Sequence, residues 1–145
     1  MKLVWNIAFN GLGVAAVAGY EAVARTESDL RSLKVTGPCL PTDVLLGDGR
    51  WCQLVRDLMG EVIAAATALG HPIEPGYADA ELERTRGMGS YRASTLLDFE
   101  RGLPLELENL FLEPLRQAHA AGVPMPRLEA LSHVLIELAV RRRRG

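Results

Sequence analysis

Lysine is almost absent from this sequence. Lys2 and Lys34 are the only two in 145 residues, against fourteen arginines. Four of those arginines form the run Arg141 to Arg144, so the body before it holds 12 basic and 18 acidic side chains and stands at −6. A body of that sign repels phosphate backbones, which excludes a broadly basic nucleic-acid binder. The run itself reads as the solvated end of a helix whose dipole favours positive charge there. Cysteine is scarce too: Cys39 and Cys52 lie 13 residues apart without a Cys-x-x-Cys pattern. They read as structural thiols, with a disulfide as the alternative. His71, His119 and His133 show no metal-ligand spacing, so no metal is expected. A clean membrane span is also missing, because the uncharged run from Leu3 to Tyr20 carries Asn6, Asn10 and three glycines. Amides are expensive in hydrocarbon. Met1-Lys2 ahead of that run and Ala22-Val23-Ala24 behind it mimic a secretory signal, but the two amides and Glu21 argue against one. A cytoplasmic chain is expected.

What is present is apolar and helical. With 48% apolar and 23% charged residues, the chain can bury one real core and is too short for two ordinary domains. Helical spacing dominates, and no segment alternates convincingly for five residues, so the expected fold is all-α. One long helix is predicted from Leu3 to about Ala24, and a turn-rich loop over 35–49 closed by Gly47-Asp48-Gly49. An apolar helix follows from about Arg50 to Leu69, stopped by Gly70 with Pro72 beyond. Short helices are predicted over Asp79–Arg86 and Tyr91–Arg101. A further helix starts at Pro104 and runs to about Ala121, and the last runs from Pro126 into the arginine run.

The first helix carries the strongest local signal. Lys2, Asn6 and Asn10 are spaced by four and fall within an arc of about 80° on a helical wheel, on a helix that is otherwise apolar almost all round. Such a helix is usually buried, and buried amides need partners. Those partners are either neighbouring backbone or a polar ligand lying along the stripe, with Lys2 supplying positive charge. A second signal spans a helix break: Ser94 and Asp98 are an i, i+4 pair, Gly102-Leu103-Pro104 turns the chain, and Glu106 falls in the first turn of the next predicted helix. A helix dipole favours a carboxylate there, so plain capping is the alternative to a site role. Gly11-Leu-Gly-Val-Ala-Ala16 matches the Gly-x-Gly-x-x-Ala pattern of dinucleotide folds, with Asp29 at a plausible distance, but no strand precedes it and no βαβ unit surrounds it.

Taken in order, these segments resemble one family. Lys2-Leu-Val-Trp-Asn6-Ile-Ala-Phe-Asn10 resembles the opening of the C-terminal domain of ketopantoate reductases (2-dehydropantoate 2-reductases). Ser94-Thr-Leu-Leu-Asp98-Phe-Glu-Arg-Gly102-Leu-Pro-Leu-Glu106 resembles that domain's second signature, and Gly122-Val-Pro-Met-Pro126 its late connector. The resemblance implies an all-α domain of the 6-phosphogluconate dehydrogenase C-terminal type, spanning residues 1–145, from an enzyme that passes hydride from NADPH to the ketone of 2-dehydropantoate in pantothenate synthesis. It implies that Lys2 is the general acid, that Asn6, Asn10 and Ser94 bind substrate, and that Glu106 lies by the cofactor. Family members begin with a Rossmann domain that holds NADPH, and these 145 residues contain none. The loop over 35–49 is long for the family, and Gly11 stands where many members carry proline. The chain is therefore expected to be inactive alone and to act on a small keto acid once a Rossmann domain completes it. The alternative is a non-catalytic helical module that keeps the fold for self-association or partner binding. The apolar first helix, which one small domain cannot easily cover, also predicts a homo-oligomer, most simply a dimer.

Overall fold

In the computed structural model the described residues are 2–24 and 33–144, with side chains described from Leu3 to Arg141 within those ranges. Lys2 and Arg142 to Arg144 are therefore placed by backbone alone, and Asp29 lies outside the described residues. Every regular element among them is helical, as expected. The chain begins with α1 (Lys2–Asn6), a π-helical turn (Ile7–Gly11), α2 (Leu12–Ala15), a 3₁₀ turn (Ala16–Ala18) and α3 (Tyr20–Ala24). Then come α4 (Thr42–Gly47), α5 (Gly49–Ala68), α6 (Tyr77–Arg86) and α7 (Ser94–Glu100). A second π turn (Glu108–Leu112) leads into α8 (Glu113–Ala120), and α9 (Pro126–Arg144) ends the described chain.

The predicted single first helix is thus wrong in detail. It widens at the π turn, and by Leu12 the amide has returned to narrower bonding, to the carbonyls of Ala8 and Phe9. It tightens at Ala16–Ala18 and breaks at Gly19, whose φ of 90° continues no right-handed helix. Its burial is as predicted. Ile7 to Ala18 are all buried, with α5, α7, α9 and the second π turn packed around them. The chain's own helices cover the face on which the dimer expectation rested.

The segment predicted as loop 35–49 does two things the sequence did not disclose. Its second half forms α4. Its first half runs along the broken helix and satisfies carbonyls there: Thr36 N and Gly37 N donate to Val17 O at 2.7 and 3.3 Å, and Leu40 N donates to Gly13 O at 3.0 Å. A helix that changes pitch leaves such carbonyls without intrahelical donors, and buried ones must be paired. The helix predicted from Pro104 also begins late. Residues 104–107 are not helical, and Pro114, which has no N–H to give, sits at the start of α8 and separates it from the π turn. The stops at Gly70, Gly102 and Gly122 stand as expected, with φ of 90°, 79° and 75°. Asp48 accepts from Arg50 N and Trp51 N at the start of α5.

Glu61 of α5 caps a different helix. Its two carboxylate oxygens accept from Arg127 N at 2.8 Å and Leu128 N at 3.0 Å, in the first turn of α9. Burial pushes this carboxyl above the ordinary glutamate range, and the two amides and Arg127 pull it back only in part. A raised pKa means that the folded chain holds the proton more tightly than the unfolded one. Glu61's contribution to stability is therefore fullest at acid pH and declines as pH rises through its folded value. Two expectations follow. Glu61→Ala, which strands two amides, loses about 1–3 kcal/mol by urea unfolding at neutral pH. The stability margin of the wild type over Glu61→Gln shrinks between pH 4 and pH 7; a margin that grows over that range contradicts the assignment.

Candidate functional site

The amide stripe is real, and the two asparagines touch. Asn10 Nδ2 donates to Asn6 Oδ1 at 3.2 Å. Asn10 is 3% exposed, and its own carbonyl accepts from Thr95 N at 3.1 Å, at the start of α7. Backbone thus supplies one of the partners the buried amide needs, and the first helix is tied to the segment that begins at Ser94. Ser94 is exposed at the first position of α7, one residue from the amide that Asn10 holds. The π turn starts directly after Asn6 and contains Asn10, and extra-wide turns of this kind recur at functional sites.

Asn6 is half-buried and opens on a cleft of about 400 Å³, lined by Trp5, Asn6, Tyr77, Glu81, Arg84, Met88 and Tyr91. The Trp5 indole is pinned there: Nε1 donates to Thr85 Oγ1 at 2.9 Å, and that fully buried hydroxyl donates on to Glu81 O at 2.6 Å. Trp5 stands 5.0 Å from the Phe9 ring and edge-on to Tyr91 at 6.0 Å. Arg84 Nη2 donates to Glu81 Oε2 at 2.6 Å. Burial and the neighbouring Glu81 hold the Tyr77 phenol above its ordinary value, so it stays protonated through neutral pH. Sequence reasoning singled out only Asn6 among the cleft-lining residues as a site residue. Tyr77, Glu81 and Arg84 follow one another at spacings of four and three on one face of α6, and Met88 lies just past its end; that spacing is legible in the sequence.

Glu106 is elsewhere. It is exposed and lines a separate cavity of about 490 Å³ with Leu103, Leu107, Leu112 and Ala139. Its carboxylate accepts from Asn109 N at 3.3 Å, so it caps the second π turn from just outside, where the sequence put it inside a helix. The Gly-x-Gly-x-x-Ala motif does not fit a dinucleotide's pyrophosphate. The Gly11–Ala16 segment is buried helix. A Cβ at Gly11 would lie 2.7 Å from Leu131 and 2.8 Å from Phe111, and one at Gly13 would lie 2.6 Å from Leu96. The backbone there faces packed side chains and has no room for phosphate. Cys39 and Cys52 are not joined in a disulfide, and no cluster of three metal-ligating side chains occurs among the described residues. No helix among the described residues is long and apolar enough to cross a membrane.

The profile described as "Ketopantoate reductase PanE/ApbA C terminal" matches residues 35–139. The chain belongs to that family. Ketopantoate reductase relatives extend the likeness over the first helix as well. A curated 2-dehydropantoate 2-reductase of a Nostoc species is 34% identical over 144 residues, which is 99% of this chain and 38% of the relative. The crystal structure of 2-dehydropantoate 2-reductase from Methylococcus capsulatus superposes with a TM-score of 0.78 at 29% identity, covering 99% of this chain and 42% of that one. The one from Geobacter metallireducens gives 0.73 at 37% identity, over 93% and 38%. The chain thus spans about 38% of the Nostoc relative's length. The ketopantoate reductase profile itself begins after the stripe, so Asn6 and Asn10 are covered by the pairwise likenesses alone.

Proposed function

We propose that this chain is the substrate-binding half of an NADPH-dependent 2-oxo acid reductase of the 2-dehydropantoate 2-reductase type. The observation that carries the reading is the linked pair Asn6–Asn10: two amides on a buried apolar helix, bonded to each other at a π turn, with Asn6 at the mouth of a cleft. A ketone that becomes an alkoxide is helped by a cationic proton donor and by fixed neutral donors around it. Lys2, one turn before Asn6, is the proton donor in this reading, and Asn6 and Ser94 hold the acid. Asn10 contributes by holding Asn6 and the start of α7 in register, since its own amide is already engaged. Glu106 lies on the cofactor side. The nicotinamide itself would be held by the part of the relatives that this chain does not span.

Because the dinucleotide-like Gly11–Ala16 segment is packed helix with no room for a pyrophosphate, the purified 145-residue chain is expected to show no saturable NADPH oxidation with 2-dehydropantoate. Oriented placement of the nicotinamide against the ketone supplies a large share of such a rate. Mixing or fusing the chain with the nucleotide-binding part of a relative is expected to restore oxidation. Saturable oxidation by the chain alone, abolished in Lys2→Ala, overturns the first expectation.

A homo-oligomer in a cytoplasmic setting remains part of this proposal, but the first helix does not support it, because that helix is covered within one copy. Association would use exposed apolar side chains such as Leu97, Leu103 and Ile136. Light scattering reads it directly: a mass near 15.8 kDa at all concentrations removes the oligomer.

A further inference from the structure

The cleft beside Asn6 has two features that the reduction of a small branched keto acid leaves unused. The first is a rigid aromatic wall. Trp5 is fixed by its bond to Thr85, and Tyr91 is fixed through its backbone, with Thr42 N donating to Tyr91 O at 3.0 Å and Tyr91 N donating to Thr42 Oγ1 at 3.2 Å. Yet the Tyr91 residue is 44% exposed. A large ring on a held backbone, left in water beside a pinned indole, offers an apolar surface to a ligand. The second is Arg84. Its Nη2 bonds Glu81, but its Nη1 points at the Met88 thioether, 3.8 Å away, a weak acceptor that leaves guanidinium N–H capacity for an incoming anion. At about 400 Å³ the cleft falls within the range that holds small organic ligands.

We propose that this cleft selects 2-oxo acids with a flat apolar tail, the carboxylate received by Arg84 and the tail laid against Trp5 and Tyr91. The inference rests on the reading of the cleft as the substrate side of the domain and narrows the class of substrate it takes. The carboxylate has a reason to choose Arg84. Planar N–H pairs match carboxylate geometry, and a Met sulfur is given up at little loss. The tail has a reason to choose the rings. Offset or edge-on ring contacts add attraction beyond burial, a surplus that a short branched alkyl group does not collect.

The test titrates the isotopically labelled full chain with phenylpyruvate and, separately, with 2-dehydropantoate, following the Trp5 indole N–H by NMR. Phenylpyruvate is expected to bind saturably and at least tenfold more tightly. Tyr91→Ala, which truncates an exposed ring, is expected to erase that preference. Arg84→Gln is expected to weaken both acids at least tenfold. Equal or tighter binding of 2-dehydropantoate overturns the proposal and leaves the substrate-side reading standing. Unchanged affinities in Arg84→Gln overturn the carboxylate assignment. No saturable shift with either acid overturns the proposal together with the reading it rests on.

Discussion

Lys2→Met, made in a fusion that supplies the nucleotide-binding part of a relative, is expected to lower kcat by about 10²- to 10⁴-fold, the usual worth of general-acid assistance. Methionine keeps the length and apolar stem of lysine and removes the proton. One feature of the chain favours the assignment. Lysine is nearly absent, so a lysine one turn before Asn6 on an otherwise apolar helix is not part of a general solvated face. Asn6→Ala is expected to act differently and to raise KM more than it lowers kcat, because a neutral amide holds the acid before and during the transfer. Steady-state NADPH oxidation separates the two. A Lys2→Met fusion with near-normal kcat removes the role assigned to the lysine.

Much of this fold could be read from residue patterns, and the failures share a cause. Glycine and aspartate marked the helix ends correctly at Asp48, Gly70, Gly102 and Gly122, because a side-chain cap or a positive φ is a local property. Burial of the first helix was legible because nearly every face was apolar. That same uniformity hid its interruptions. A helix apolar all round has no contrast from which a change of pitch could be read, so the π turn at Ile7–Gly11 and the 3₁₀ turn at Ala16–Ala18 left no trace in the periodicity. α4 was masked by the Gly and Pro around it, although Pro41-Thr42-Asp43 is a fair helix start. The late start of α8 is written in Pro114, whose missing N–H the apolar spacing does not register. At the site, the spacing of Asn6 and Asn10 correctly forecast that the two amides share a side. It could not show that Thr95, 85 residues away, would occupy the Asn10 carbonyl. Nor could it show that Thr85, 80 residues from Trp5, would fix the cleft wall. Glu106 kept a capping role, but on a turn that the sequence placed elsewhere. Long-range partners of this kind depend on how helices pack, and no local pattern encodes them.

Two glycine-to-alanine changes in helices are expected to move stability in opposite directions. Gly60, in the middle of α5, is exposed, and a Cβ there meets nothing within 4 Å. Gly60→Ala removes backbone freedom from the unfolded chain and restores helix propensity, so it is expected to stabilise by about 0.4–1 kcal/mol. Gly13 gains the same propensity and loses far more. Its Cβ would lie 2.6 Å from Leu96 Cδ1 and 3.0 Å from the carbonyl oxygen of Leu40. Leu96 is 1% exposed and has little room to retreat. The Leu40 carbonyl belongs to the extended segment whose own amide bonds Gly13 O at 3.0 Å, so pushing it away also stretches a hydrogen bond that satisfies the broken helix. Overpacking of this kind typically costs about 1–3 kcal/mol, enough to outweigh the propensity gain and to lower Tm by several degrees in a chain of this size. Leu96 follows directly on Thr95, whose amide Asn10 holds, so the strain at Gly13 is also expected to reach the amide pair. Thermal unfolding of the two variants beside the wild type reads the sign of each. An unchanged or raised Tm in Gly13→Ala would mean that the extended segment does not press on the first helix as closely as its contacts indicate.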